Sequence, residues 1–528
     1  MRGPADNAEN AAGPASYASL PLDHVVLHGA DEADALVLRE GTLDYAALRS
    51  RVARMAAWLA AMLPTKGARV ASWAAKGELT CLLPVAAARA GLVHVPVNPL
   101  LKHAQVAHIL ADSGAELLIA TPSRLATLVE GDVPEGCRAL GEAEAMAQVA
   151  ACTGSLGPSD ANPDTLAAIL YTSGSTGRPK GVMLSHANMA LGAASVADYL
   201  DMAAQDRTLA VLPFAFDYGQ NQLFSTWLAG GCVVPLDYLL PRDVVKAVER
   251  HAITTLAAVP PLWVQLTELD WPAETAARLR RLTNSGGALT VDLVAKLRAL
   301  FPEARLFPMY GLTEAFRSTY LDPALVDTHP TSMGRAVPHA EVLVINDAGE
   351  IAGDDEEGEL VHCGPLVAQG YWRDAERTAE RYRPAPAASR YGETAVWSGD
   401  RVRRAKDGLL YFVGRRDAMI KSAGNRISPQ EIEDAVVATG LAAEAVALGL
   451  PDARLGQAIH LVVRPAAGVD GEEAAAELPR RLMRELPNFM QPRAIHWRDA
   501  MPTSPNGKLD RTGLANEIAA KLAMETEA

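Results

Sequence analysis

The sequence predicts an α/β protein with parallel sheets, followed by a smaller α+β domain. Helix-like and strand-like patterns alternate from Leu43 to residue 121 and again over residues 206–260, as expected for parallel strands joined by covering helices. After about residue 340, short strand-like runs separated by acidic or glycine turns replace this alternation. A chain of 528 residues is too long for one hydrophobic core, so we expect two or more domains.

The first helix and the strands after it follow from the spacing of apolar residues. Between Leu43 and Leu63 these residues recur every three or four positions, which predicts an amphipathic helix. Residues 69–73 and 93–97 predict strands on either side of a largely apolar helix at residues 78–91.

The strand-rich region ends in a hairpin and a predicted domain boundary. Residues 341–345, 358–363 and 396–403 predict short strands. Residues 401–413 predict a hairpin closed around an Asp-Gly turn. We place the boundary near Asp417, and the helix and strand patterns beyond it predict a small α+β domain.

Composition excludes several classes of protein. The net charge of −14 argues against a general nucleic-acid or anionic-membrane binder. No apolar run is long enough to span a bilayer, and no signal segment is recognised. Five widely spaced cysteines argue against a zinc site and a disulfide framework, and favour a reducing, cytoplasmic compartment. Residues 1–18 are small and polar, which predicts a flexible arm.

A Gly/Ser/Thr-rich segment at residues 171–181, YTSGSTGRPKG, directly follows an apolar strand-like run. Its glycines let the backbone approach phosphate oxygens closely, while N–H groups, hydroxyls and a lysine supply hydrogen bonds and charge. It differs from the G-x-x-x-x-G-K-[ST] pattern, because Gly181 follows Lys180. By itself, the segment has a second interpretation as a flexible surface turn.

Further segments follow it in an order that resembles the AMP-forming adenylate-forming superfamily. That superfamily contains acyl-CoA synthetases, the adenylation domains of peptide synthetases and beetle luciferases. The resemblance covers residues 20–515. Its signatures are YTSGSTGRPKG, NSGGA at residues 284–288, YGLTE at residues 310–314, WSGD at residues 397–400, GRRD at residues 414–417 with SPQEIE at residues 428–433, and PNGK at residues 505–508.

The resemblance implies a fold and a reaction. The fold has an N-terminal domain, residues 19–416, of two α/β sheet subdomains and a small β-barrel-like subdomain, then a mobile C-terminal domain, residues 417–528. In the reaction, a carboxylate attacks the α-phosphate of ATP to give acyl-AMP and pyrophosphate, and a thiol then attacks the mixed anhydride. The implied cofactors are ATP, Mg²⁺, and coenzyme A or a phosphopantetheinylated carrier protein.

The resemblance also assigns roles to residues. Lys508 would contact the carboxylate and α-phosphate, Thr313 the α-phosphate, and Glu314 the Mg²⁺, while Lys180 would add charge at the phosphates. Asp417 would be the hinge between the domains. The implied ATP-binding residues are Thr172, Ser173, Gly174, Ser175, Thr176, Gly177, Gly286, Gly287, Ala288, Tyr310, Gly311, Asp400 and Arg415. The alternative for Lys508 is an exposed tail lysine. Gly424 would line the thiol tunnel, or be a plain turn glycine.

The implied acid pocket contains two charged residues, Asp217 and Arg317, beside Phe216, Trp263 and Met309. Peptide-synthetase adenylation domains resemble this chain at Phe216-Asp217. In those domains the aspartate pairs with the α-ammonium of the amino-acid substrate. Because a buried carboxylate needs a cationic partner, Asp217 favours an amine-bearing acid. Arg317 leaves two alternatives open: it pairs with a second substrate carboxylate, or it neutralises Asp217 beside a neutral acid. Two charges disfavour a long-chain fatty acid.

No carrier domain is recognised in the sequence, so we expect the thiol to come from coenzyme A or a free-standing carrier protein. Residues 216–219, 241–243 and 259–263 resemble acyl-CoA ligases associated with bacterial exosortase loci. Two alternatives to a thiol ligase stay open: an adenylate-forming enzyme that passes its acyl group to an amine or oxidises it, and a non-catalytic adenylate sensor.

Overall fold

The computed structural model describes residues 20–172, 179–415, 419–422, 425–452 and 455–527. The predicted arm at residues 1–18 lies outside the described residues, as do the predicted hinge residue Asp417 and tunnel residue Gly424. The same holds for five predicted phosphate-binding residues: Ser173, Gly174, Ser175, Thr176 and Gly177.

Strands and helices alternate through the first two thirds of the described chain. The strands are β1 (Asp34–Leu38), β2 (Gly41–Asp44), β3 (Arg69–Trp73), β4 (Val93–Pro96), β5 (Leu117–Ala120), β6 (Arg138–Gly141), β7 (Leu166–Thr172), β8 (Lys180–Ser185), β9 (Arg207–Ala210), β10 (Cys232–Pro235), β11 (Thr255–Ala258), β12 (Arg281–Asn284), β13 (Arg305–Tyr310), β14 (Thr319–Tyr320), β15 (Ser332–Ala336), β16 (Glu341–Ile345), β17 (Glu357–Cys363), β18 (Tyr382–Pro384), β19 (Thr394–Arg404), β20 (Leu410–Arg415), β21 (Ile420–Ser422), β22 (Asn425–Ile427), β23 (Ala442–Asp452), β24 (Gly456–Pro465) and β25 (Ala494–Trp497). The α-helices are Tyr45–Met62, Glu78–Ala90, His103–Ser113, Pro122–Leu125, Glu142–Ala151, His186–Tyr199, Asp217–Leu228, Pro241–Arg250, Pro260–Thr267, Ala273–Arg278, Val291–Leu300, Ala375–Arg381, Pro429–Ala438, Gly471–Glu485 and Arg511–Glu527.

The first sheet has the strand order β6-β5-β3-β4-β7-β8. Its strands are parallel except for β8, which runs antiparallel to β7 and pairs Lys180 with Thr172. The predicted helix after Leu43 begins at Tyr45 because the Asp44 side chain accepts a hydrogen bond from the Ala47 N–H and caps it. In this strand order, β7 and β8 form one end of the first sheet, and they are the two strands that flank the Gly/Ser/Thr-rich segment.

The second sheet is longer and changes character along its length. Parallel strands β1, β10, β9, β11, β12 and β13 form one half. The antiparallel strands β14, β15, β20, β19, β17 and β16 continue it. The strands predicted after residue 340 are confirmed, and β19 and β20 form the hairpin around Asp407-Gly408. In the described part of the chain, no strand pairing closes this region into the β-barrel-like subdomain that we expected.

The last unit is a small α+β structure. Its sheet has the order β22-β21-β24-β23, with β25 parallel to β24. The helices Pro429–Ala438 and Gly471–Glu485 pack on this sheet around a separate hydrophobic core. Mixed α/β architecture with a smaller C-terminal unit is thus confirmed, whereas the boundary at residues 416 and 417 stays a prediction. No described helix has the length and apolar character needed to cross a membrane.

Strand order brings the sequence motifs together. Strands β12 and β13 are parallel neighbours, with Asn284 opposite Pro308. The segments that leave their carboxyl ends, residues 285–288 and 310–314, therefore lie side by side at one edge of the sheet. Ligands of open α/β sheets bind at this edge.

Candidate active site

A cleft of about 510 Å³ lies between the carboxyl ends of β12 and β13, the β19–β20 hairpin and the small C-terminal unit. The predicted residues that line it are Gly286, Gly287, Ala288, Met309, Tyr310, Gly311, Asp400, Arg415 and Lys508. These residues come from the carboxyl ends of β12 and β13, the β19–β20 hairpin and the C-terminal unit, which meet at this cavity.

One wall of the cleft contains the carboxylate of Asp400, which accepts hydrogen bonds at both of its oxygens. Asp400 is buried, and strand pairing sets it opposite Arg415. Its Oδ1 accepts a hydrogen bond from Arg415 Nε at 2.8 Å, and its Oδ2 accepts one from the Tyr310 hydroxyl. Burial and the negative charge of Asp400 raise the pKa of Tyr310 well above its usual value, so the phenol stays a donor. The arrangement fixes the direction of the Asp400 carboxylate.

A second polar cluster surrounds Glu314. Its Oε1 lies 3.1 Å from Lys180 Nζ and accepts a hydrogen bond from the Tyr371 hydroxyl at 2.7 Å. Burial alone would raise the pKa of Glu314, but the positive charges of Lys180 and Arg381 hold it below the usual value. Burial lowers the pKa of Lys180, and the nearby Glu314 carboxylate partly offsets this. Tyr371 belongs to none of the sequence motifs. An isolated β-bridge between Tyr371 and Val182 places it beside this cluster.

The residues at this cluster fit a Mg²⁺ ion held mainly by substrate phosphates. Mg²⁺ prefers oxygen ligands and is usually bound by one or two carboxylates, with waters and phosphate oxygens completing its shell. Glu314 supplies one buried carboxylate. Thr172 Oγ1 is buried at the end of β7 with no hydrogen-bond partner among the described residues. Within the described ranges, no group of three or more His, Cys, Asp or Glu side chains forms a complete metal cage.

Asp217 and Arg317 form a buried ion pair. Their side chains are only 3% and 2% exposed, and Arg317 Nη1 lies 3.2 Å from Asp217 Oδ2. The Thr313 hydroxyl donates to Asp217 Oδ1 at 3.0 Å. Of the alternatives left by the sequence, this geometry supports Arg317 as the partner that neutralises Asp217. Trp263 is fully buried in the hydrophobic core and does not line the cleft.

Lys508 reaches the cleft from the C-terminal unit. Its Nζ lies 4.9 Å from the centre of the Phe216 ring. Burial lowers the pKa of Lys508; the positive charges of Arg415 and Arg317 act in the same direction, and Asp217 partly opposes them. Lys508 is therefore a pocket residue in this structure and not an exposed tail lysine.

Asn98, which the sequence analysis did not identify, holds the turn that carries Lys508. Its Nδ2 donates to the carbonyl oxygen of Pro505 and to Asn506 Oδ1, both at 2.9 Å. Asn98 follows β4 in the first sheet and lies more than 400 residues earlier in the chain. No local pattern relates the two segments.

The AMP-binding enzyme family matches residues 23–372, and the AMP-binding enzyme C-terminal domain matches residues 431–508. The chain belongs to the AMP-binding enzyme family. A feruloyl-CoA synthase from Amycolatopsis is 33% identical over 490 residues, which cover 90% of this AMP-binding enzyme and 94% of the relative. An L-proline–[L-prolyl-carrier protein] ligase from Streptomyces coelicolor is 32% identical over 529 residues, covering 94% and 96% of the two chains.

Solved structures agree with this family. The ATP-bound MatB from Rhodopseudomonas palustris is 25% identical and superimposes with a TM-score of 0.84 over 95% of this chain and 99% of its own. A benzoate CoA ligase from Burkholderia xenovorans shares the fold with a TM-score of 0.84 over 94% and 99% of the two chains, at 23% identity. This AMP-binding enzyme is an ATP-dependent, AMP-forming acid–thiol ligase.

Proposed function

We propose that this ligase adenylates a small carboxylic acid beside Lys508 and passes the acyl group to the thiol of a phosphopantetheine arm. In the first step, a carboxylate oxygen bonds to the α-phosphorus of ATP and pyrophosphate leaves. In the second, the thiolate sulfur bonds to the acyl carbon, AMP leaves, and the thiol proton is released to solvent. The observation that carries the proposal is the position of Lys508, which lines the same cleft as Asp400 and Arg415 and has its Nζ 4.9 Å from the centre of the Phe216 ring.

The nucleoside would occupy the cleft wall formed by Asp400. A carboxylate oxygen has more than one acceptor site, so Asp400 can accept from ribose hydroxyls while it holds Arg415 and Tyr310. Gly286 and Gly287 would leave room for the adenine. A Cβ on Gly286 would lie 2.7 Å from Lys508 Cε, and one on Gly287 would lie 3.0 Å from Pro260 Cγ.

The phosphates would lie toward Glu314. Lys180 and Thr172 face each other across the β7–β8 pair, and the proposed phosphate ligands Ser173, Ser175 and Thr176 belong to the intervening segment. When bound, Mg²⁺ would neutralise phosphate charge there, with Glu314 as its protein ligand. Lys508 would supply positive charge where negative charge develops on the α-phosphate.

Movement of the C-terminal unit would separate the two steps. We place the hinge at Asp417 and assign Gly424 to the thiol path, on the resemblance alone. A hinge needs only a few residues that absorb a large backbone change. Residues 417–528 would then deliver Lys508 in the first step and the tunnel segment in the second.

An amine-bearing acid is the second candidate substrate. Asp217 is buried, and its negative charge partly opposes the lowering of the Lys508 pKa that burial causes. The similarity to an L-proline–[L-prolyl-carrier protein] ligase also favours an amino acid. Against it, Asp217 already accepts hydrogen bonds from Thr313 and Arg317.

Adenylate formation tests the function directly. Acids from several classes would be scored by hydroxylamine trapping and by pyrophosphate exchange, with coenzyme A and phosphopantetheinylated carrier proteins as separate acceptor arms. Background exchange with every acid would refute the proposal. Adenylate without transfer to either acceptor would instead favour transfer to an amine or oxidation.

A matched pair of lysine variants tests the role of Lys508. Lys508→Met should abolish adenylate formation yet leave thioester formation from synthetic acyl-AMP. Lys521→Met provides the control, because Lys521 is exposed on the terminal helix and pairs only with Glu517 among its described contacts. Equal behaviour of the two variants would refute the assignment.

A further inference from the structure

A second, smaller cavity lies behind Met309, which lines both it and the large cleft. Its volume is about 20 Å³, and its wall includes Asn221 and Gln222 of the helix Asp217–Leu228, Thr255 of β11, and Arg317. A space of this size holds about one water-sized group. Asp217 does not line it.

The wall of this inner cavity carries an unusual concentration of unpartnered polar atoms. Arg317 Nε and Nη2, both amide atoms of Gln222, Asn221 Oδ1 and Thr255 Oγ1 are buried and have no hydrogen-bond partner among the described residues. Each of the four residues is at most 5% exposed. Buried polar groups are nearly always hydrogen-bonded in native proteins, so this set points to a bound polar group.

Charge and hydrogen-bond type narrow the identity of that group. The positive charge of Arg317 is already balanced by Asp217 at 3.2 Å, so a second carboxylate would bring an unbalanced charge into a buried site. The unpartnered atoms include donors, on Arg317 and Gln222, and acceptors, on Asn221 and Gln222. A hydroxyl or a carboxamide both donates and accepts, and a hydroxyl also matches the volume.

We propose that the acid substrate carries a neutral hydrogen-bonding substituent, a hydroxyl or a carboxamide, which enters this inner cavity. The inference rests on the proposed function and specifies its substrate class. Met309 would lie between the reacting carboxylate and the substituent, so the cavity would act as the specificity pocket.

Isosteric acids test the proposal without changing the protein. Hydroxybutanoates would be compared with the corresponding methyl-substituted acids, hydroxybenzoates with methylbenzoates, and succinamate with succinate, by hydroxylamine-trapped adenylate. We expect the hydroxyl or carboxamide member of at least one pair to exceed its partner in kcat/KM by about tenfold or more. The reason is that the partner acid would leave the buried polar groups of the inner cavity without hydrogen bonds.

The outcomes separate this inference from the proposed function. If no acid gives adenylate, the proposed function fails; if adenylate forms equally well within every pair, only the inner-cavity proposal fails. A preference for the charged member, succinate or an aminobutanoate, would also overturn it.

Two glutamines on one helix supply matched variants. Gln222→Met should abolish the preference for the hydroxyl or carboxamide acid while adenylation of the methyl acid continues. Gln220→Met is the control, because Gln220 is also buried and also has an unpartnered amide nitrogen among the described residues, but does not line the cavity. Loss of the preference in both variants would indicate a structural effect on the helix and contradict the proposal.

Asn98 carries a second, independent inference. Its two hydrogen bonds to Pro505 and Asn506 cross from the first sheet to the turn that bears Lys508. Its Oδ1 accepts from the Leu100 N–H at 2.9 Å, which fixes the amide so that Nδ2 faces the turn. We infer that Asn98 is a positioning residue that holds Lys508 for adenylation, again on the basis of the proposed function, and has no part in thiol transfer.

Asn98→Asp isolates this role, since an aspartate keeps the acceptor for Leu100 but loses the donor to the turn. Adenylate formation should fall by about tenfold or more for two lost hydrogen bonds, while thioester formation from synthetic acyl-AMP stays unchanged. The comparison variant is Glu268→Gln, which removes a different contact to the C-terminal unit, the ion pair between Glu268 and Arg464. Equal loss of both half-reactions in Asn98→Asp would refute the inference.

Discussion

The buried Asp217–Arg317 pair provides the most quantitative test of the site. At 3.2 Å, two unit charges attract by about 5 kcal/mol at an effective dielectric constant of about 20. Removing either partner leaves a buried, uncompensated charge, which typically costs about 3–5 kcal/mol. Asp217→Leu and Arg317→Met should each lower the free energy of unfolding by that amount, whereas the double variant should lie close to the wild type.

Urea unfolding followed by tryptophan fluorescence measures this cycle for all four proteins. A coupling energy of several kcal/mol between the two substitutions is expected. The m value, the slope of the unfolding free energy against urea concentration, should be the same in all four proteins. Single variants within about 1 kcal/mol of the wild type, with additive effects, would refute the proposed electrostatic coupling.

A further substitution at Asp217 addresses the amine hypothesis. If Asp217 binds a substrate ammonium, Asp217→Ala weakens amine-bearing acids far more than plain acids. If its role is to balance Arg317, the two classes lose activity equally in the trapped-adenylate assay.

Three further predictions concern the nucleotide side of the cleft and Lys508. Asp400→Asn should raise the KM for ATP by about tenfold in pyrophosphate exchange, because the amide offers the ribose hydroxyls one neutral acceptor oxygen in place of two charged ones. Tyr371→Phe removes one donor from Glu314 and should raise the Mg²⁺ concentration needed for half-maximal adenylation, whereas an unchanged Mg²⁺ titration would contradict a metal-linked role. Burial lowers the pKa of Lys508 below 10.5; since the ammonium is the active form, adenylation should decline as pH rises through that lowered pKa, and Lys508→Arg should shift the decline to higher pH.

Much of the site followed from the sequence because its residues occupy short motifs at strand ends. Asn284 and Tyr310 end the adjacent parallel strands β12 and β13, so their motifs meet wherever those strands pair. Asp400 and Arg415 likewise follow from the hairpin predicted around Asp407-Gly408. In these places local patterns determine both the element and its neighbour.

The remaining features depend on contacts that no local pattern encodes. Tyr371 reaches Glu314 across 57 residues, and Asn98 reaches Asn506 across 408. The sequence placed Asp217 and Arg317 in one pocket but could not decide whether they pair with each other or with the substrate. Trp263, expected in the acid pocket, is fully buried in the hydrophobic core and does not line the cleft, and its place in the acid pocket stays a prediction.

The β7–β8 pairing has a consequence for protein engineering. Thr172 and Lys180 are paired strand positions, so the sheet itself fixes the two points to which any connecting segment is attached. The seven residues between these two positions in the sequence are therefore a suitable site for replacement. Grafting a loop of different length or charge should alter triphosphate handling, while the sheet continues to hold Lys180 against Glu314.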